Sequence, residues 1–124
     1  MRVLVDTNAL IWWLLDDPTL SGPARTAIHE AEQAFVSAVS IWEIGIKNNR
    51  GRLDVPDDLE SRLEQVGFVE LPIAWRHARV AGRLQGHHSD PIDRMLVAQA
   101  TADDLVIVTR DRDIARYDVR VIEA

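Results

Sequence analysis

Along this chain, short unbroken apolar runs alternate with longer stretches in which apolar residues recur every three or four positions. The first pattern marks buried strands and the second marks amphipathic helices. Residues 2–6 form a valine-rich strand candidate, followed by helices over 7–15 and 21–33, the second opened by Ser21 as cap with Pro23 in its first turn. A short strand covers 35–36. Helical periodicity returns from Ala38 to about Asn48 and stops at Asn49, Arg50 and Gly51, where glycine permits a left-handed ending. A helix over 57–66, a strand over 68–71 and helices over 73–84 and 92–102 come next, the last two flanking a polar loop at 85–90. Strands over 105–108 and 119–122 close the pattern. Strands alternating with helices predict an α/β layered fold with a mainly parallel sheet. In open sheets of that kind, ligands bind beyond the carboxyl ends of the strands.

Composition narrows the picture without changing it. The 124 residues suit a single domain over 1–124, and 47% hydrophobic with 27% charged residues is an ordinary globular balance. The absence of cysteine excludes disulfides, thiolate zinc sites and a cysteine nucleophile. The longest apolar run, from Ala9 to Leu15, is far too short to span a membrane. Asp6 interrupts the apolar start at once, so we read the chain as mature and cytoplasmic, with no signal peptide. A net charge of −6 argues against a surface that coats nucleic acid. It leaves room for a nuclease, because bound metal ions supply positive charge where a phosphate sits. Thirteen of the 14 bases are arginine, and Lys47 is the single lysine.

Four acids stand where acids are unusual. Asp6 follows the apolar strand directly; before Thr7 and Asn8 it serves equally as a helix cap or as a reactive carboxylate. Glu43 is the only charged residue from Phe35 through Ile46 and shares its helix face with Val39 and Ile46. Ser40 and Glu43 have capping-box spacing, but Ser37 stands closer to where the helix begins. A carboxylate on an inward face needs a partner or a metal. Asp93 falls among Leu96, Val97 and Ala100, whereas Asp90 before Pro91 is explained as an N-cap. Asp111 follows the last long apolar run and taken alone is an ordinary turn residue. Two acids at strand ends and two near helix starts are expected to meet at one rim of a single sheet. Such carboxylates repel one another unless a hard cation neutralises them. Magnesium, with manganese as a substitute, fits that demand and leaves coordination positions for substrate phosphate, which points to phosphodiester hydrolysis.

These residues resemble the PIN-domain ribonucleases, in particular the toxins of VapC-type toxin–antitoxin pairs. The matching segments are Val3 to Asn8 (VLVDTN), Ser37 to Ile44 (SAVSIWEI), Asp90 to Ala100 (DPIDRMLVAQA) and Val108 to Asp111 (VTRD), which come in the family's order. The resemblance implies a three-layer α/β/α sandwich and acidic roles for Asp6, Glu43, Asp93 and Asp111. It also implies a homodimer, an RNA substrate and a cognate antitoxin that inserts a peptide near the active site. Asp6, Asp93 and Asp111 would then hold one or two magnesium ions, with Glu43 orienting a water or a second ion. Thr7 and Asn8 would bond the substrate or steady Asp6. Arg94 and Arg110 are candidates for phosphate contacts, although surface arginines more often serve as salt-bridge partners.

Competing readings are a DNA-cutting nuclease with the same carboxylates, a phosphoacceptor signalling domain, and a binding module without catalysis. The phosphoacceptor reading wants an acidic pair after the first strand and a lysine after the last, and neither is present. The histidines His29, His77, His87 and His88 read as surface residues. Helical spacing places most of the tryptophans Trp12, Trp13, Trp42 and Trp75 in the core or an interface.

Overall fold

The computed structural model describes residues 1–86 and 90–124. The elements run β1 (Arg2–Val5), α1 (Thr7–Leu14), α2 (Gly22–Glu30), β2 (Gln33–Ser37), α3 (Ala38–Asn49) and α4 (Leu59–Gln65). They continue as β3 (Phe68–Leu71), α5 (Trp75–Arg83), α6 (Pro91–Asp103), β4 (Val106–Thr109), α7 (Arg112–Ala115) and β5 (Val121–Glu123). The strands form one five-stranded sheet in the order β3-β2-β1-β4-β5, and every neighbouring pair is parallel.

Strand alternation divides the core into two layers. Val3 and Val5 of β1 face a cluster with Leu10 of α1, Ala24 and Ile28 of α2, Ile44 of α3 and Leu63 of α4. Leu4, between them, faces the other way with Phe35 and Ile107, against Leu96 and Val97 of α6 and Ile114 of α7. Fully burying a side chain of this size stabilises the fold by roughly 1.5–3 kcal/mol. The sheet is therefore a stiff plate with helices on both faces, the three-layer α/β/α arrangement, and its strand ends are fixed points.

Most element boundaries agree with the periodicity to within two residues, and the exceptions have local causes. The helix expected over 21–33 stops at Glu30, because Ala31 turns extended (φ −61°, ψ 141°) and Glu32 donates its N–H to the Met1 carbonyl at 2.9 Å. Polar Gln33 then joins the sheet opposite Arg2, so β2 is longer than its apolar centre. The single turn α7 has no counterpart in the sequence reading, since four residues are too few to show a period. Gly51, at φ 71°, provides the expected stop after α3, where a side chain would be strained.

Helices α5 and α6 pack against each other, and a polar cluster locks them together. His77, expected at the surface, is 0% exposed. Its Nδ1 accepts the Ala74 N–H at 2.9 Å, so the ring proton sits on Nε2 and points at Asp103 Oδ2, 2.9 Å away. The sequence hid this because a histidine in an arginine-rich helix reads as polar, whereas both ring nitrogens are satisfied inside the protein. Asp103 also accepts from Arg76 Nε at 2.8 Å and Nη2 at 3.1 Å. The Arg76 bonds, with His77 in support, hold the Asp103 carboxyl down at about 2.

That depression ties stability to acid. The contribution of Asp103 is complete above the ordinary value of 3.8 and is lost as pH falls through about 2. Urea melts across that interval should show a shallower acid limb for Asp103→Asn than for the parent. At neutral pH, Asp103→Ala should cost roughly 1–3 kcal/mol, because it strands the buried His77 Nε2–H. Identical acid limbs for parent and Asp103→Asn would remove the linkage.

The tryptophans divide. Trp12 and Trp13 pack against the core, Trp13 edge-on to Phe68 with ring centroids 6.0 Å apart. Trp42 and Trp75 are instead 60% and 92% exposed, so neither belongs to the core of this chain. His87 and His88 lie outside the described residues. Among the described residues, no helix is long and apolar enough to cross a membrane.

Candidate active site

The strand order reverses direction between β1 and β4, since β2 and β3 lie to one side and β5 to the other. A crevice opens at such a switch point, beyond the carboxyl ends of the strands. Asp6 follows β1 there, Thr109 ends β4, and Asp111 comes two residues later.

Asp6 is both a cap and the buried centre of the crevice. It is 6% exposed, and its Oδ1 accepts the Ala9 N–H at 2.8 Å, so it caps α1 as its sequence context allowed. Its N–H donates to the Val108 carbonyl at 3.0 Å, stitching the end of β1 to β4. Its Oδ2 accepts the hydroxyl proton of Thr109, whose Oγ1 in turn accepts the Asp111 N–H at 3.0 Å. Burial pushes the Asp6 carboxyl above its ordinary value of 3.8; the Thr109 and Ala9 bonds oppose this, and the charges of Asp111 and Glu43 reinforce it. Capping therefore does not exhaust Asp6. A solvent-facing cap would satisfy the same N–H without an ionisation penalty.

Glu43 is half-buried on α3 and, among the described residues, takes part in no hydrogen bond or ion pair. The capping-box explanation is removed, because Ser37 is the N-cap of α3 and accepts the Val39 N–H at 3.1 Å. Ser40 is buried inside the helix and shares a 3.1 Å hydrogen bond with the Thr7 hydroxyl. That bond fixes α3 against the start of α1 and so holds Glu43 near Asp6.

Asp111 is half-buried and caps α7 through Oδ1, which accepts the Asp113 N–H at 2.7 Å. Asp93 is half-buried in the first turn of α6. Asp90 is exposed and caps that helix, accepting from Ile92 N at 2.9 Å and Asp93 N at 3.3 Å, with Pro91 as the first helical residue. The two aspartates thus occupy the different environments that the helix phase required. The structure brings Asp6, Glu43 and Asp111 within electrostatic reach of one another. Asp93 stands in the first turn of α6, which packs against α3, whereas the charges that reach Asp6 are those of Asp111 and Glu43.

The arginines are otherwise engaged. Arg94 donates Nη2 to the carbonyls of Leu84 at 2.8 Å and Ala81 at 3.2 Å, tying α6 to the end of α5. Arg110 donates Nε to the Ala124 carbonyl at 2.7 Å, bonds the Thr19 carbonyl, and lies 4.9 Å over the Trp12 ring. In this arrangement both guanidinium groups tie separate segments of the backbone together. Asn8 is exposed beside the crevice, and its Oδ1 accepts from Lys47 Nζ at 3.1 Å. Thr109 and Ser40 were overlooked in the sequence. Their only signal was a hydroxyl at a strand end and a serine inside an apolar helix, both of which usually mean local backbone bonding.

Among the described residues, no three Asp, Glu or His side chains form a ready-made metal cage. A calcium-like site would need such a cage, whereas magnesium is held by one or two carboxylates, retained waters and substrate phosphate. The buried Asp6, coupled to Glu43 and Asp111, suits the second kind. Each Asp6 oxygen keeps a lone pair beyond its hydrogen bond.

A PIN domain family model matches residues 3–120. The ribonuclease VapC22 of Mycobacterium tuberculosis is 28% identical over 118 residues, covering 93% of this chain and 91% of that protein. The DNA-bound VapBC structure from Salmonella typhimurium aligns with a TM-score of 0.74 at 19% identity, covering 98% of this chain and 97% of that one. FitAcB from Neisseria gonorrhoeae aligns with a TM-score of 0.71 at 23% identity, covering 99% and 97%. These two structures report on the fold. The family match takes in β1 to β4 and all four acids, and the chain belongs to the PIN domain family.

Proposed function

We propose that this protein is a magnesium-dependent endoribonuclease, the toxin of a toxin–antitoxin pair, hydrolysing RNA phosphodiester bonds at the crevice between β1 and β4. The observation that carries this is Asp6, a buried carboxylate whose ionisation is opposed by burial and by two neighbouring acids. A fold keeps that arrangement when a cation compensates it. The similarity to a ribonuclease and to VapBC structures supports the substrate class and an antitoxin partner. A homodimer and a cytoplasmic setting complete the reading.

Asp6 and Asp111 would hold the metal directly, with Asp93 reaching it through a retained water. When bound, magnesium lowers the pKa of a coordinated water and polarises the phosphate. Glu43, with no hydrogen-bond partner among the described residues, would accept a hydrogen bond from the attacking water and aim it. Thr109 acts through Asp6 and Asp111 by fixing both relative to the end of β4, which makes it a positioning residue. Asn8 offers its side-chain amide to the substrate, while the Thr7 hydroxyl is committed to Ser40.

Titrating Mg²⁺ or Mn²⁺ into the protein with labelled RNA and DNA oligonucleotides tests the reading. RNA cleavage should stop in EDTA and return with excess Mg²⁺. Activity that survives EDTA would remove the metal mechanism, and cleavage of DNA alone would transfer the same site to the other substrate.

A further inference from the structure

Lys47 has no place in the acidic site as described, yet the structure puts its ammonium at the crevice. Residues 40, 43 and 47 lie along one stripe of α3 at helical spacing. The first of them, Ser40, bonds Thr7, and the last bonds the next residue, Asn8, at 3.1 Å. Glu43 stands between them. Lys47 is half-buried and one turn from Glu43, but among the described residues it belongs to no ion pair. Among the described residues its hydrogen bond goes to a neutral amide oxygen, an exchangeable partner for an ammonium group. The two arginines of the neighbouring motifs donate to backbone carbonyls instead.

We propose that Lys47 is a substrate-binding residue that grips a nonbridging phosphate oxygen of the nucleic-acid strand entering the crevice. On binding, Nζ exchanges the Asn8 amide oxygen for a phosphate oxygen and frees Asn8 for the substrate. An ammonium is suited to this because it acts as a compact charge with three rotatable donors and needs no fixed fork geometry. It places a cation beside acids that would otherwise repel the polyanion, in a chain with net charge −6. This inference rests on the nuclease reading above.

Single-turnover cleavage of a labelled single-stranded RNA, measured against protein concentration at several KCl concentrations, tests it. Lys47→Met should raise the half-saturating concentration roughly ten- to a hundredfold, the scale of one hydrogen bond to a charged group. It should also reduce the salt slope of log affinity by about 0.7, the share of one phosphate contact on a single strand. Lys47→Arg should keep the slope, and Asn8→Ala should leave the slope alone whatever it does to the rate. Weaker binding by Lys47→Met with an unchanged slope would make Lys47 a strut for Asn8 and overturn the proposal, as would unaltered binding. A parent protein that cuts no nucleic acid with any divalent metal would instead overturn the nuclease reading, and this inference with it.

Discussion

Asp6→Asn should lower RNA cleavage by roughly 10²- to 10³-fold, the scale on which one preorganised electrostatic group acts, while raising the melting temperature of the metal-free protein. The two effects have one cause. Burial raises the folded-state carboxyl above its ordinary 3.8, so the folded protein holds that proton more tightly than the unfolded chain does. Stability therefore falls as pH rises from the unfolded value through the raised folded value, and it stays lowered above it. An amide does not ionise and removes that descent. Its oxygen still accepts the Ala9 N–H, and its NH₂ donates to Thr109 Oγ1, which has a lone pair to spare beside the Asp111 N–H. Fold and cap survive while the charge disappears. Melting curves from acid to neutral pH, with and without Mg²⁺, separate the parts: the parent should gain from metal and the variant should not. Near-parental cleavage by Asp6→Asn would reduce Asp6 to a cap.

Asp93→Asn should likewise reduce cleavage by roughly 10²- to 10³-fold, whereas Asp90→Asn, three residues earlier, should leave it largely intact. Asp90 is exposed and spends Oδ1 on the N–H groups of Ile92 and Asp93. Asn caps a helix as well as Asp does, so that change keeps the bonds; Asp90→Ala should cost about 1 kcal/mol. Asp93 stands in the first turn of α6 on the side where Leu96, Val97 and Ala100 are all buried. The readouts are single-turnover cleavage for all three variants and the Mg²⁺ concentration each requires. An inactive Asp90→Asn beside an active Asp93→Asn would exchange the two roles. Severe losses in both would mean that the pair acts on the metal together.

Several features of this protein were legible from the sequence because they depend on local pattern. Valine-rich runs between 3.6-residue periods make strands and helices whatever their surroundings, and their alternation requires crossovers that keep the strands parallel. The caps Ser21, Ser37 and Asp90 were readable for the same reason, since a cap is satisfied by N–H groups two or three residues away. Glu43 was conspicuous because a charge on an apolar helix face stands out without any knowledge of its neighbours. What the tertiary structure decided depends on residues far apart in the chain. Asp6 and Thr109 are 103 positions apart, and only the pairing of β1 with β4 makes their hydrogen bond. His77 became a core residue because Asp103, on another helix, accepts its proton. Arg94 and Arg110 meet backbone carbonyls of segments distant in the chain, while Lys47, distant in sequence from Asn8, was brought beside it. Local periodicity governs which way a side chain faces; what it meets there is set by how the sheet orders its strands.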